Sequence, residues 1–151
     1  MADARAILRD LYARHAPAVH RRALRLLGSE ADAHEVLQDL FVSLLARPDE
    51  LAGRSAWSSY LYTATTHACL NRLRNQRRRE RLLEREAAVG QEHASEPEQL
   101  VLLRAALARL PEELATVAVY YALDGLTQQE IAQILGCSRR HVGHLLERLE
   151  A

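Results

Sequence analysis

A chain of 151 residues with 48% apolar content holds one ordinary domain or two small ones, helical units of about sixty residues being viable when well patterned. Two distant cysteines without CxxC spacing, Cys69 and Cys137, exclude a disulfide framework and point to reduced thiols, and no apolar run approaches the roughly 20 residues that cross a bilayer. The formal net charge is +0 but unevenly spread: residues 71–81, NRLRNQRRRER, hold six arginines and one acid, whereas from Ser95 onward five arginines face eight acids.

Strand signals are nearly absent, and apolar residues recur at three- and four-residue steps throughout, which predicts an all-α protein. The start, MADARAILRD, carries acids and lacks the apolar core of a signal peptide, so a cytoplasmic protein is expected. Leu8, Leu11, Tyr12, His15, Val19, Ala23, Leu26 and Leu27 form a first helical stripe. Pro17 is expected to break or kink it and Gly28 to stop it. Ser29, with Asp32 three residues on, has the pattern of a capping box for a second helix. Its buried face is Val36, Leu37, Leu40, Phe41, Leu44 and Leu45, and Pro48 ends it. Residues 47–56, RPDELAGRSA, read as a loop before a long helix from about Trp57 into the arginine run.

Periodicity lapses over residues 87–97, AAVGQEHASEP, the best linker. Two small helical domains are therefore expected, 1–86 and 98–151. Ser95, Pro97 and Glu98 mark the start of the next helix, with Leu100, Leu103, Leu107 and Leu110 on one face. Pro111 starts another, carrying Leu114, Val117, Ala118 and Tyr121, which ends at Asp124–Gly125.

The segment EIAQILGCSRRHVGHL, residues 130–145, reads as two short helices around a turn. Thr127 and Glu130 make a capping box, flanked by Leu126 and Ile131 at the staple positions. Gly136 supplies a left-handed turn residue and Ser138 caps the next helix, whose inner face is Val142, Leu145 and Leu149. Ala132, Gly136 and Val142 fall where a helix-turn-helix needs a small contact residue, a turn glycine and a buried aliphatic. The outward residues are then Ser138, Arg139, Arg140, Gly143, His144 and Arg148. Such a helix places its N-terminal part in the major groove, where arginine can donate twice to guanine. The competing reading is a corner between helices with solvated arginines. Cys137, His141 and His144 share a helical face and include zinc-ligand types, but a fourth ligand is missing nearby, so no metal is expected.

Three blocks carry a resemblance. SEADAHEVLQDLFVSLLARP is similar to the helix that bacterial sigma factors press against core RNA polymerase. WSSYLYTATTHACLNRLRNQRRR resembles the helix that engages the −10 promoter element. LPEELATVAVYYALDGLTQQEIAQILGCSRRHVGHLLERL resembles the domain that reads the −35 element. Their order, with a linker between, resembles the compact extracytoplasmic-function (ECF) type.

The resemblance implies core-polymerase contacts at Asp32, Glu35, Gln38 and Asp39, the polar face opposite Leu37, Leu40 and Phe41. An ordinary solvated face near a helix N-terminus is the alternative. It implies −10 contacts at Trp57, Tyr60, Asn71, Arg74, Arg77, Arg78 and Arg81, with Arg85 extending the stripe. Trp57 and Tyr60 could stack on unpaired bases, and Trp57 equally suits a core anchor. Residues 47–56 map to the family's base-capturing loop. The chain departs from the family at Gly143 and Leu145, where basic residues are usual, which puts the strength of the −35 contact in doubt.

The implied function is non-enzymatic: a monomeric, cofactor-free sigma factor that binds core RNA polymerase and promoter DNA, helps melt it, and answers to an anti-sigma factor. Alternatives are a polymerase-independent helix-turn-helix regulator, similar to the LuxR type, and a sigma-like decoy that sequesters a protein partner.

Overall fold

Glycines and capping residues punctuate the apolar runs, so the chain is cut into helices of definite length. The computed structural model describes residues 3–83 and 97–151, apart from the side chain of Ala52. Among them are α1 (Ala4–Leu27), α2 (Glu30–Leu45), α3 (Pro48–Gly53), α4 (Trp57–Leu83), α5 (Glu98–Arg109), α6 (Glu112–Ala118), a π-helical turn (Val119–Leu123), α7 (Gln128–Leu135) and α8 (Arg139–Glu150), and no strand. Contacts divide the chain into two units, Met1–Cys69 and Leu70–Ala151, a division that falls within α4. The expected linker lies outside the described residues except for Pro97.

In the first unit, the Asp3 side chain accepts from the Arg5 backbone N–H at 3.1 Å and so caps α1. The helix runs through Pro17 to Leu27 without a break. Pro17 is exposed while Ala16 and Val19 beside it are buried, so packing holds the turns on either side although one backbone bond is forfeited. Gly28, at φ 71°, closes the helix and donates its N–H to the Leu24 carbonyl at 2.7 Å. Ser29 Oγ then accepts from the Asp32 N–H at 3.2 Å.

Leu11, Val19, Leu37, Phe41, Leu44, Leu51 and Leu61 form the core shared by α1 to α4. Two expected core residues stand apart. Tyr12 is 43% exposed, although its ring meets Phe41 edge-on at 5.1 Å. Leu45 is 46% exposed because Leu44 takes the inward position, and the next residue on a helix is turned away by about 100°. The presumed loop 47–56 contains α3. Pro48 begins it, Asp49 and Glu50 occupy its first turn, and Leu51 is buried. Arg22 joins α1 to α4: its Nε donates to Thr66 Oγ1 at 2.9 Å, and its guanidinium lies 4.0 Å from the Tyr62 ring centroid.

In the second unit, Leu107, Leu114, Val117, Tyr120, Ile131, Val142 and Leu145 are buried. Of the four leucines expected to line α5, only Leu107 is fully so. Pro111 precedes α6 as expected, but that helix does not continue to Asp124 as an α-helix. It widens into the π-helical turn, closed by the Asp124 N–H bonding to the Val119 carbonyl at 3.0 Å, before Gly125 at φ 67° redirects the chain.

Candidate nucleic-acid interface

The capping box of α7 is complete. The Thr127 N–H donates to Glu130 Oε1, and the Glu130 N–H donates to Thr127 Oγ1, each at 3.1 Å. The Thr127 backbone N–H foremost, and then its side chain, hydrogen-bond the Glu130 carboxyl and hold it below its ordinary pKa. Ile131 and Ala132 face inward, and Gly136 closes α7 in the left-handed conformation at φ 67°. Ser138 Oγ accepts from the His141 N–H at 3.0 Å and starts α8. Val142 and Leu145 are fully buried. This is the expected helix-turn-helix, residue for residue at its caps and turn.

Burying Val142 and Leu145 fixes the opposite face of α8. Ser138, Arg139, Arg140, His144 and Arg148 are exposed and Gly143 is half-buried. Arg140, His144 and Arg148 follow one another at four-residue steps on this outer face, and Glu147 is exposed there too. His141 belongs to another contact: its Nε2 lies 2.8 Å from Glu113 Oε1 on α6. A pair 28 residues apart leaves no local sequence signal. It ties one of the three residues of the zinc alternative to a carboxylate, and no metal-binding group of three His, Cys, Asp or Glu occurs among the described residues.

On α4, Trp57 and Tyr60 are half-buried, packed against the first unit's core, with their rings edge-to-face at 5.7 Å. Each is therefore an anchor with an accessible part. The Arg54 guanidinium lies 4.1 Å from the Tyr60 centroid and 5.8 Å from that of Trp57. Arg54 stands three residues before Trp57 and six before Tyr60, and no sequence pattern singles it out.

Further along α4, Asn71, Arg78 and Arg81 are exposed and Arg77 is half-buried. Desolvation, then the charges of Arg81 and Arg109, lower the pKa of Arg77, as expected where cations crowd. Arg74 departs from the solvent-facing stripe. Its side chain is 22% exposed, its Nη1 lies 3.9 Å from Glu112 Oε2, and its Nε and Nη2 are buried without a hydrogen-bond partner. Arg85 lies outside the described residues.

On α2, Glu35, Gln38 and Asp39 are exposed and Asp32 half-buried, so the polar face exists as expected. Val42, 65% exposed, and Leu45 add apolar surface to the same helix. No helix among the described residues is long and apolar enough to cross a membrane.

Comparison with known proteins divides the chain in the same order. Residues 11–79 match the family Sigma-70 region 2, and residues 100–150 match Sigma-70, region 4. The chain is 26% identical over 142 residues to the ECF RNA polymerase sigma factor SigM of Mycobacterium tuberculosis, an alignment covering 94% of this chain and 72% of that one. It is 32% identical over 136 residues to the ECF RNA polymerase sigma factor SigE of Mycolicibacterium smegmatis, covering 84% of this chain and 52% of that one.

Proposed function

This chain belongs to the ECF sigma factors of the sigma-70 family, and from that premise we propose that it binds core RNA polymerase and directs it to promoters carrying paired −10 and −35 elements. The observation that carries the reading is the joint match to region 2 and region 4, in that order, on one chain. We assign residues 1–86 to core binding and the −10 element, 87–97 to a linker, and 98–151 to the −35 element.

The acidic face of α2, Asp32, Glu35, Gln38 and Asp39, meets a basic surface of the polymerase, where charge complementarity gives register and rate of encounter. Trp57 and Tyr60 hold unpaired bases of the melted −10 element by stacking. Asn71, Arg77, Arg78 and Arg81 follow its backbone, while Arg74, expected in the same stripe, is drawn aside towards Glu112 and contributes less. Ser138, Arg139, Arg140, Gly143, His144 and Arg148 form the surface that enters the −35 major groove. Phosphodiester synthesis is the polymerase's, so the chain needs no cofactor. It is a monomer when free, in the cytoplasm, and its polymerase-facing surfaces suit capture by an anti-sigma factor.

The test is co-elution of the purified chain with bacterial core polymerase, followed by promoter-dependent transcription. The control carries Asp32→Ala, Glu35→Ala and Asp39→Ala. Stoichiometric co-elution, weakened in the control, with initiation at a defined sequence is expected. Tight duplex binding without the polymerase would favour the independent regulator, and co-elution without initiation would favour the decoy.

A further inference from the structure

Gly143 leaves the outer surface of the helix-turn-helix without a side chain midway along α8, between Arg140 and His144. That place is not empty. Gln128, in the first turn of α7, reaches across, and its Oε1 is 3.6 Å from where a Cβ on residue 143 would stand. This is ordinary van der Waals distance. Gln128 is half-buried, between exposed Thr127 and Gln129. The complete capping box fixes the turn from which it projects, and buried Val142 fixes the rotation of α8 beneath it. A carboxamide from the neighbouring helix thus occupies the position from which residue 143 would otherwise address a ligand.

We infer that Gln128 is a specificity-determining residue of this surface and that its carboxamide reads an adenine. This rests on the proposed reading of α8 as a major-groove helix. An amide offers one donor group and one acceptor side by side, and which end is oxygen can exchange by a flip. Adenine presents the complementary pair, the N6 donor and the N7 acceptor, whereas guanine presents two acceptors, N7 and O6. A Cβ at position 143 would stand in ordinary contact with Gln128, and only a side chain longer than methyl would extend beyond the carboxamide, so glycine there and glutamine at 128 act as one reading element contributed by two helices.

The experiment uses core polymerase loaded with the full chain and a library of promoter duplexes randomised across the upstream element, sequencing what is retained and transcribed. Wild type is expected to prefer adenine at one upstream position. Gln128→Ala should flatten that position alone, losing about 5- to 160-fold of discrimination, the range for a bidentate base contact. Gln128→Glu, which keeps the shape, should move the preference towards cytosine, whose N4 donates. Gly143→Arg should move it to guanine, and adding Gln128→Ala should then change nothing further. Unchanged preferences in Gln128→Ala would overturn the inference. So would a uniform loss of binding with a shallower salt dependence, which marks a phosphate contact. A wild-type holoenzyme that selects no upstream sequence would overturn the −35 assignment itself, and is recognised before any variant is made.

Discussion

The Nε2 of His141 lies 2.8 Å from Oε1 of Glu113, so the first turn of α8 is fastened to α6 from outside as well as by the buried Val142. The two side chains are 45% and 54% exposed, which places the contact among surface pairs, worth about 0.2–1 kcal/mol. A double-mutant cycle of Glu113→Ala and His141→Ala, followed by urea unfolding, should give a coupling in that range. A coupling indistinguishable from zero would mean that core packing alone orients α8.

The capping box makes a second prediction with a pH signature. Thr127→Ala should cost about 1 kcal/mol and raise the Glu130 pKa only part of the way towards its ordinary 4.5, since alanine removes the hydroxyl but keeps the backbone N–H that lowers it most. A depressed carboxyl pKa stabilises the fold above the unfolded-state value, and the contribution is lost as pH falls through the folded one. The window therefore opens below about pH 4.5. Glu130→Gln preserves an acceptor for the Thr127 N–H but not the charge, so it should remove this acid dependence together with the neutral-pH stability that the carboxylate adds. Carboxyl NMR titration and thermal unfolding between pH 3 and 7 check both points; an unshifted Glu130 would refute them.

Much of this was legible in the sequence because its signals are local. Ser29, Gly28, Thr127 with Glu130, Gly136 and Ser138 act within three or four residues, and each caps or turns the chain as expected. Pro17 does not break α1, because the packing of Ala16 and Val19 holds the turns on either side of the one lost backbone bond. Residues 47–56 misled because a six-residue helix shows too little periodicity to read, although Pro48, Asp49 and Glu50 announce its start. The contacts that depend on chain separation, Arg22 with Thr66 and Glu113 with His141, had no local signal. The arginines at 74, 78 and 81 share one helical face, but Arg74 is covered where Glu112 approaches it while Arg78 and Arg81 stay exposed, a difference that depends on a residue distant in the chain.

Arg22 performs two jobs with one group, donating to Thr66 at 2.9 Å and lying 4.0 Å from the Tyr62 ring centroid. An ammonium can make either contact singly, but it lacks the planar fork by which the guanidinium makes both from one position. Arg22→Ala should destabilise the chain by about 1–2 kcal/mol, combining a hydrogen bond and a cation–π contact. Arg22→Lys should recover less than half of that in the same unfolding assay. Full recovery by lysine would show that charge alone matters at this site.

The exposed arginines of α4 should differ from the inward one in how they respond to salt. Each phosphate neutralised releases counterions, giving a slope of about −0.9 in log K against log salt on duplex DNA and about −0.7 on a single strand. With holoenzyme on promoter DNA, Arg78→Ala together with Arg81→Ala should make the slope shallower by roughly 1.4–1.8. Arg74→Ala should change it by less, because that side chain is 22% exposed and its Nη1 lies 3.9 Å from Glu112 Oε2. Its effect should appear instead in unfolding, where removing two buried nitrogens without hydrogen-bond partners offsets part of the packing lost with the side chain. Equal slope changes for all three positions would mean that Arg74 swings outward when DNA binds, breaking its contact with Glu112 to do so.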